Sequence, residues 1–337
     1  MWLINLSRIL FLPAILILPG VVCLESAIVS AGEREGKDPL DLAAPLEPME
    51  VAVTVDDLPV HDEPLPGLSH MDIATKVIGA LRESHLSGVY GFSNGKPIEQ
   101  DSRLLEVLRA WVAAGYYLGN HGFSHMDLTK SSTEAFIADI ERMDLVIESL
   151  SSRSLGLKVF RYPLLREGET LAKRNQIREY LKRHGYRIAH GTIDYADWAW
   201  TKAYRRCSAR NDEAMMTWLR EHAVDAARRS LRRAQKLAKL VVGRGVKHIL
   251  IVHLSAFNAL ALKDLLQALQ SDGVTFIELK TALSDPVYET NPNLPLREGY
   301  SFLDQLVMMK QITDPYRDEV YPLQRLEGLC LALPGNP

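Results

Sequence analysis

The stretch of the chain that says most about its fold is Val51-Ala-Val-Thr-Val-Asp-Asp57-Leu-Pro59. An apolar run typical of a buried strand leads directly into two adjacent carboxylates, Asp56 and Asp57. Successive side chains on a strand point to opposite faces, so one carboxylate can bind a metal ion while the other faces a substrate. A polar turn after a buried strand explains the same residues, since Asp is common in turns. Taken alone, this stretch predicts the end of a strand and leaves its chemistry open.

Short β-rich runs alternate with amphipathic segments along the rest of the chain. The strand candidates are Val51–Val55, Gly88–Phe92, Tyr116–Gly119, Lys158–Tyr162, Arg187–Thr192, His248–Val252 and Val274–Leu279. The helix candidates are Asp72–Ser84, Ser102–Ala114, Thr133–Leu150, Thr170–His184, Asp212–Val242 and Ala259–Gln270. Repeated strand–helix units predict an α/β fold with a parallel sheet, either a barrel or a doubly wound open sheet.

Two histidines, His121 and His125, follow the third strand candidate in the segment Asn120-His-Gly-Phe-Ser-His125. They can reach a common point if the segment turns into a helix or a tight loop. Two imidazoles and one carboxylate make a metal site with positions left for water and substrate. A pair of histidines alone is weak evidence, because His has many other roles. Together with the Asp pair, it predicts a metal centre.

Three other strand ends carry polar residues, each with a structural alternative. Arg161 can hold a catalytic carboxylate in its ionised state, or it can form an ion pair at the rim. Asp194, Asp197 and Trp198 follow the next strand candidate, where an acidic loop with a core Trp is the alternative. His253 ends a strongly apolar strand, and it is either catalytic or a buried, hydrogen-bonded structural His.

The common position of these residues carries more weight than any one of them. The residues at or just after the carboxyl ends of strand candidates are Asp56, Asp57, His121, Arg161, Asp194, Asp197 and His253. Parallel α/β folds build their active sites at this edge of the sheet. Separate structural explanations would all have to coincide there, so we expect an active site.

Taken in this order, the segments resemble the five motifs of the nodulation-type polysaccharide deacetylase domain, carbohydrate esterase family 4. The resemblance runs from about Glu50 to Pro286. It implies a single catalytic domain folded as a distorted (β/α)7-8 barrel of the glycoside hydrolase and deacetylase type. It also implies a hydrolase of non-peptide carbon–nitrogen bonds that removes N-acetyl groups from chitin-like or peptidoglycan sugars.

The resemblance also implies the roles of the site residues. Asp57, His121 and His125 would bind a divalent metal, with zinc the first choice by ligand type and cobalt, nickel, iron or manganese as alternatives. Asp56 would be the general base. His253 would be the general acid.

The remaining family positions would support these groups or the substrate. Arg161 would orient Asp56, and Asp197 would tune His253. Asp194 matches the first acid of the family's Asp-x-x-Asp-Trp pattern. The candidates for substrate binding are Trp198, Tyr162 and Leu164. The chain departs from the family at Leu164, where Tyr is usual, although the backbone N–H of this position remains available to an oxyanion.

The first residues of the chain predict export. A basic residue and an apolar run in residues 1–31 are typical of a signal peptide cleaved after Ala31. An uncleaved membrane anchor is the alternative, and lipidation of Cys23 is a minor one. We expect a flexible linker over residues 32–49, the catalytic domain over 50–286 and an extension packed on it over 287–337. The mature protein would be secreted or periplasmic, where Cys207 and Cys330 are free to pair.

The overall charge and composition limit the partners. A formal net charge of -3 gives the molecule no electrostatic reason to bind nucleic acid or acidic membranes. We expect a glycan or N-acetyl sugar as substrate and no integral membrane partner; the oligomeric state is open. The basic stripe on the longest helix candidate predicts a solvated face, with contact to an anionic glycan as the alternative. Two other functions stay open: a metal-dependent amidohydrolase acting on a small non-sugar amide, and a noncatalytic glycan-binding protein.

Overall fold

Parallel strands alternate with helices in the part of the chain that the computed structural model describes, residues 46–150 and 156–331. These residues lie in one compact unit. The strands are β1 Met49–Leu58, β2 Tyr90–Ser93, β3 Tyr117–Asn120, β4 Val159–Phe160, β5 Arg187–Ile188, β6 Ile193–Asp194, β7 His248–His253 and β8 Val274–Phe276. The helices are α1 His70–Glu83, α2 Lys96–Gln100, α3 Leu105–Ala113, α4 Thr133–Leu150, α5 Leu171–Arg183, α6 Asp197–Ser208, α7 Glu213–Val242, α8 Asn258–Ser271, α9 Leu279–Ala282, α10 Phe302–Met309 and α11 Leu323–Glu327.

Strand β1 is the centre of the sheet. It pairs in parallel with β7 along residues 51–56, and on its other edge with β2 and β8. Both faces are covered, which explains why its apolar residues run without alternation. The strand is longer than the prediction, because its pairing with β7 continues to Asp56, which lies opposite His253. Both carboxylates therefore lie within the last residues of β1.

The order of the strands shows that the sheet is a barrel with a gap. The order β5-β4-β3-β2-β1-β7-β6 is sequential around a circle, unlike that of a doubly wound sheet. Strands β5 and β6 stand at opposite ends of this order, yet only residues 189–192 connect them. Five Cα steps span at most about 18 Å, whereas the edges of a flat sheet of this width would lie about 29 Å apart. The sheet therefore curls, as the distorted-barrel prediction requires.

The gap explains a difference from the sequence analysis. The single strand predicted over Arg187–Thr192 is wrong, because the chain crosses from β5 to β6 within that run. Eight strands consequently replace the seven expected in the described residues. The backbone N–H of Phe302 donates to the carbonyl of Gly191 at 2.7 Å, and its ring stacks on His190 with centroids 4.5 Å apart. Residues beyond the predicted domain boundary thus cover the gap.

The long helix α7 carries the basic stripe. The prediction that this stripe faces solvent is wrong for two of its residues, which form ion pairs within the protein. Arg228 forms an ion pair with Asp272 at the end of α8, at 2.6 Å. Arg233 bonds to Asp304 and to Asp314 in the segment after residue 286, both at 2.5 Å. Its side chain is only 14 % exposed. This face of α7 is therefore a contact surface for the C-terminal residues.

The ends of the described unit are also fixed in place. Leu46 and Met49 are buried in the core, so the fold begins before the boundary predicted at Glu50. Near the other end, Cys207 in α6 and Cys330 form a disulfide. No helix in residues 46–150 or 156–331 is long and apolar enough to cross a membrane. The predicted signal peptide, its membrane-anchor and Cys23 alternatives and the first part of the linker lie outside the described residues.

Candidate active site

The predicted site residues gather at the carboxyl edge of the barrel. Asp56 and Asp57 lie near the end of β1, and His121 directly follows β3. His253 is the last residue of β7 and pairs with Asp56 across the sheet. Because all these strands run in parallel, their ends meet at one edge. His125 reaches the same place through the loop after β3.

Three ligand atoms converge at this edge in a way that fits a metal ion. Oδ1 of Asp57 lies 3.4 Å from Nε2 of His121 and 3.4 Å from Nε2 of His125. Ligand atoms at tetrahedral zinc distances of about 2.0–2.1 Å are about 3.3 Å from each other. Oδ1 is buried and has no hydrogen-bond partner among the described residues. This unsatisfied oxygen and the donor set fit a divalent cation.

The local backbone aims these ligands. Asp57 and His125 both have positive φ, at 62° and 55°, a backbone conformation that few residues other than glycine adopt. Nδ1 of His121 hydrogen bonds to the carbonyl of Arg161 at 2.8 Å. A carbonyl only accepts, so Nδ1 donates and Nε2 keeps its lone pair for an ion. The loop is held by Asp139 of α4, which accepts from the Ser124 hydroxyl at 2.7 Å.

The charge states of the ligands suit metal binding. Burial works against the negative charge of Asp57, but the imidazoles of His121 and His61 hold its pKa well below its ordinary range. Burial lowers the pKa of His125 to about 4, against the pull of Asp57. At neutral pH the site therefore presents a carboxylate and an uncharged imidazole, the forms that bind metals.

Asp56 is held by a buried ion pair beside the metal ligands. Its Oδ1 accepts from Nη1 of Arg161 at 2.6 Å, and both side chains are almost completely buried. Arg161 is itself fixed, since Nη1 also donates to Thr54 at 2.7 Å and Nε donates to the carbonyl of Ala189 at 2.9 Å. Its guanidinium lies over the ring of Phe92, 4.2 Å from the centroid. These contacts keep Asp56 in one orientation.

His253 and Asp197 form a second pair on the other side. Nδ1 of His253 lies 2.7 Å from Oδ1 of Asp197, while the backbone N–H of His253 donates to Oδ2 at 2.7 Å. Asn258 also donates to Oδ2 at 2.5 Å, so this fully buried carboxylate has three hydrogen-bond partners. Burial disfavours a charge on His253, but Asp197 raises its pKa to about 10. At neutral pH the imidazole is protonated, and it can donate a proton.

The other predicted residues lie in different environments. Asp194 accepts from the backbone N–H of Ala196 at 2.7 Å, and burial and Asp197 raise its pKa to about 6. Trp198 is half-buried, with the Lys202 ammonium 4.7 Å from its ring centroid. Leu164 is 47 % exposed and has a φ of 58° in the turn Pro163–Leu165. Trp198 and Leu164 are thus accessible to a ligand.

Tyr162 differs from Trp198 and Leu164, because its side chain is only 2 % exposed. Its ring packs against Phe160 and Phe136, and these residues belong to a second core cluster around α4 and α5. Its side chain has almost no exposed surface to offer a ligand, and substrate binding by Tyr162 stays a prediction. The residue contributes to the core under the Leu164 turn.

Two residues of the site were missed by the sequence analysis. His61 hydrogen bonds through Nδ1 to Oδ2 of Asp57 at 2.7 Å, and its ring lies 4.5 Å from that of His253. Its spacing from Asp57, four residues on and just past Pro59, was the available signal. Asn258 carried no signal, since it begins helix α8 and reaches Asp197 only through the fold.

Comparison with known proteins gives a family match for part of the chain. Residues 43–189 match the polysaccharide deacetylase family model. The family resemblance is thereby confirmed over this part of the chain, and with it the enzyme class, a hydrolase acting on carbon–nitrogen bonds. The matched part of the chain contains Asp56, the three metal-ligand candidates and Arg161, and it ends before Asp197 and His253. Comparison with curated protein sequences gives no match.

Solved structures of deacetylases resemble the chain at low sequence identity. A T48 deacetylase with substrate is 17% identical, with a TM-score of 0.45, over 78% of this chain and 100% of its own. The chitin deacetylase of Colletotrichum lindemuthianum is 19% identical, with a TM-score of 0.48, over 72% and 90%. The catalytic domain of a peptidoglycan N-acetylglucosamine deacetylase from Eubacterium rectale is 13% identical, with a TM-score of 0.47, over 76% and 96%. At these scores the likenesses carry no conclusion about substrate.

Proposed function

We propose that this deacetylase-type hydrolase is metal-dependent and removes N-acetyl groups from an N-acetylated glycan, either chitin-like or from peptidoglycan. The observation that supports the proposal most is the convergence of Asp57, His121 and His125 between two further pairs. On one side lies the Asp56–Arg161 ion pair, and on the other the Asp197–His253 pair. Metal-assisted amide hydrolysis uses a Lewis acid, a base and an acid around one carbonyl.

The ligand set would hold a divalent ion, with zinc the first choice and cobalt, nickel, iron or manganese as alternatives. When bound, the ion would supply Lewis acidity, polarising the acetyl carbonyl and making water a stronger acid. The protein would supply the base through Asp56. Because its Oδ1 is taken by Arg161, Oδ2 is the atom that would accept the proton of the attacking water. The hydrogen bond from Arg161 orients that carboxylate.

The leaving amine needs a proton, and His253 would supply it. Its Nδ1 is engaged with Asp197, so Nε2 is the atom that would donate. Asp197 favours the imidazolium and fixes the ring, as a carboxylate does for a catalytic histidine. The backbone N–H of Leu164 would stabilise the oxyanion, and Trp198 would form part of the groove for the sugar.

The proposal extends to location. A disulfide between Cys207 and Cys330 persists in oxidising compartments and is rare in the cytosol. Together with the apolar N-terminal sequence, it supports export to the periplasm or the medium.

Acetate release tests the proposed activity. The purified, zinc-loaded protein should release acetate from N-acetylglucosamine oligomers faster than from small non-sugar amides. The isosteric Asp56→Asn variant should lose turnover and keep its metal, because Asp56 is not a ligand. Asp264→Asn, an exposed position on α8, serves as the matched control and should keep both. Preference for a small amide would favour the amidohydrolase alternative, and glycan binding without acetate release would favour a binding protein.

A further inference from the structure

The two carboxylate oxygens of Asp57 have different surroundings. Oδ1 faces the Nε2 atoms of His121 and His125, each at 3.4 Å. Oδ2 lies 2.7 Å from Nδ1 of His61. We propose that His61 is a positioning residue of the metal centre, which holds Asp57 so that only Oδ1 is presented to the ion. The inference rests on the proposed function, since it needs the metal site to be real.

The contact between His61 and Asp57 is a hydrogen bond with a fixed direction. A carboxylate only accepts, so Nδ1 of His61 must carry the proton. The 2.7 Å separation is that of a charge-assisted hydrogen bond. A donor of this kind outside the ligand set orients a metal ligand and sets how strongly it binds.

His61 is well placed for this role, because its own position is fixed. After β1 the chain turns back, and the backbone N–H of His61 donates to the carbonyl of Leu254 at 3.2 Å. Its ring packs against His253, with centroids 4.5 Å apart, and its side chain is only 15% exposed.

A second metal ion is the competing explanation for the same cluster. Asp57, His61 and His253 do offer three ligand atoms within 4.8 Å of one another. However, two ligands of one tetrahedral ion should be about 3.3 Å apart, and the 2.7 Å between His61 and Asp57 is too short. The 3.4 Å distances on the other oxygen meet that requirement. The distances therefore fit metal binding at Oδ1 of Asp57 and a hydrogen bond from His61 at Oδ2.

Holding Oδ2 has a consequence for the ion. Asp57 then supplies a single ligand atom, and a set of three protein ligands leaves positions for water and substrate. Without His61, Oδ2 would be free to rotate toward the ion. Loss of an outer hydrogen bond to a metal ligand typically weakens binding by about 10- to 100-fold.

The test is the zinc affinity of two His61 variants. His61→Leu removes the donor, whereas His61→Asn retains one, because Nδ2 of Asn stands as many bonds from the backbone as Nδ1 of His. His184→Leu is the matched control, an exposed histidine at the end of α5 that hydrogen bonds to Tyr180. Each apoprotein is titrated with zinc chloride against a chelating dye, and its melting temperature is measured with a chelator present.

We expect one zinc per wild-type chain, an affinity about 10- to 100-fold weaker in His61→Leu, and recovery of most of that loss in His61→Asn. His184→Leu should bind like the wild type. An unchanged affinity in a folded His61→Leu variant overturns the positioning role. So does a wild type that binds two ions and loses one of them in His61→Leu, which would make His61 a ligand. If the wild type binds no zinc, the proposed metal-dependent function is itself contradicted, and this outcome differs from the two that overturn the role of His61 alone.

Discussion

Replacing Arg161 with Met removes the cation that faces Asp56 in the interior. The guanidinium and the carboxylate are 1% and 4% exposed, and their atoms are 2.6 Å apart. The substitution leaves a buried carboxylate without its counter-charge, which costs about 3–5 kcal/mol. It also removes the donors to Thr54 and to the carbonyl of Ala189. We expect the free energy of unfolding to fall by that amount, a large part of the roughly 5–15 kcal/mol of a typical domain.

A double-mutant cycle isolates the pair. Asp56→Asn removes the charge that Arg161→Met leaves behind, so the double variant should be more stable than the sum of the two single effects. The coupling should be about 0.5–3 kcal/mol, as for residues in direct contact. The coupling should be favourable, because each single substitution leaves one buried charge without its partner, whereas the double substitution leaves no buried charge of the pair.

Urea unfolding in the presence of a chelator measures these free energies, with an unchanged slope taken as evidence that the folded state is intact. Arg183→Met is the matched control, since Arg183 and Glu179 form an exposed pair 3.7 Å apart. That variant should show little measurable change. Strictly additive single effects, or a loss under about 1 kcal/mol in Arg161→Met, would refute the buried ion pair.

Three further results are expected. His253→Gln should lower kcat for acetate release about 100- to 10,000-fold with zinc content unchanged; a parallel loss of zinc would instead make His253 a ligand. Cys330→Ser should lower the free energy of unfolding by about 2–5 kcal/mol, read in urea melts, and reductant should then have no additional effect, because Cys207 has lost its partner. Burial lowers the pKa of His248 from 6.5 to about 4. The unfolded chain thus takes up this proton first as pH falls, and stability should drop between pH 6.5 and 4 by up to about 3 kcal/mol. His248→Gln should flatten that part of the stability profile, and an equally steep profile in the variant would contradict it.

The parts of the fold that follow from the sequence are those with strong local patterns. Strand β1 was predicted because a strand buried on both faces needs an unbroken apolar run, and helix α4 was predicted at its observed bounds, Thr133–Leu150. The gathering of the site residues followed from the parallel sheet, since the ends of parallel strands share one edge. Their catalytic roles stay predictions.

The parts that were missed depend on tertiary contacts. Strand β6 has two residues, too few for a periodic pattern, and the prediction carried β5 on to Thr192 instead of ending it at Ile188. The role of His61 depends on the turn after β1, which brings it back to Asp57. The burial of Tyr162 depends on aromatic neighbours from α4, and the pairing of Arg233 depends on acids more than seventy residues away. No local sequence signal reports such contacts.

The central claim, that Asp57, His121 and His125 bind one divalent ion, is tested most directly by titrating the apoprotein with cobalt(II). The visible absorption of bound cobalt depends on its ligands and geometry. We expect saturation at one equivalent in the wild type, and loss of the bound spectrum when His121 or His125 is replaced by Ala, whereas Asp56→Asn keeps it. A wild type without a saturable spectrum, or a His125→Ala variant with an unchanged one, would contradict the account.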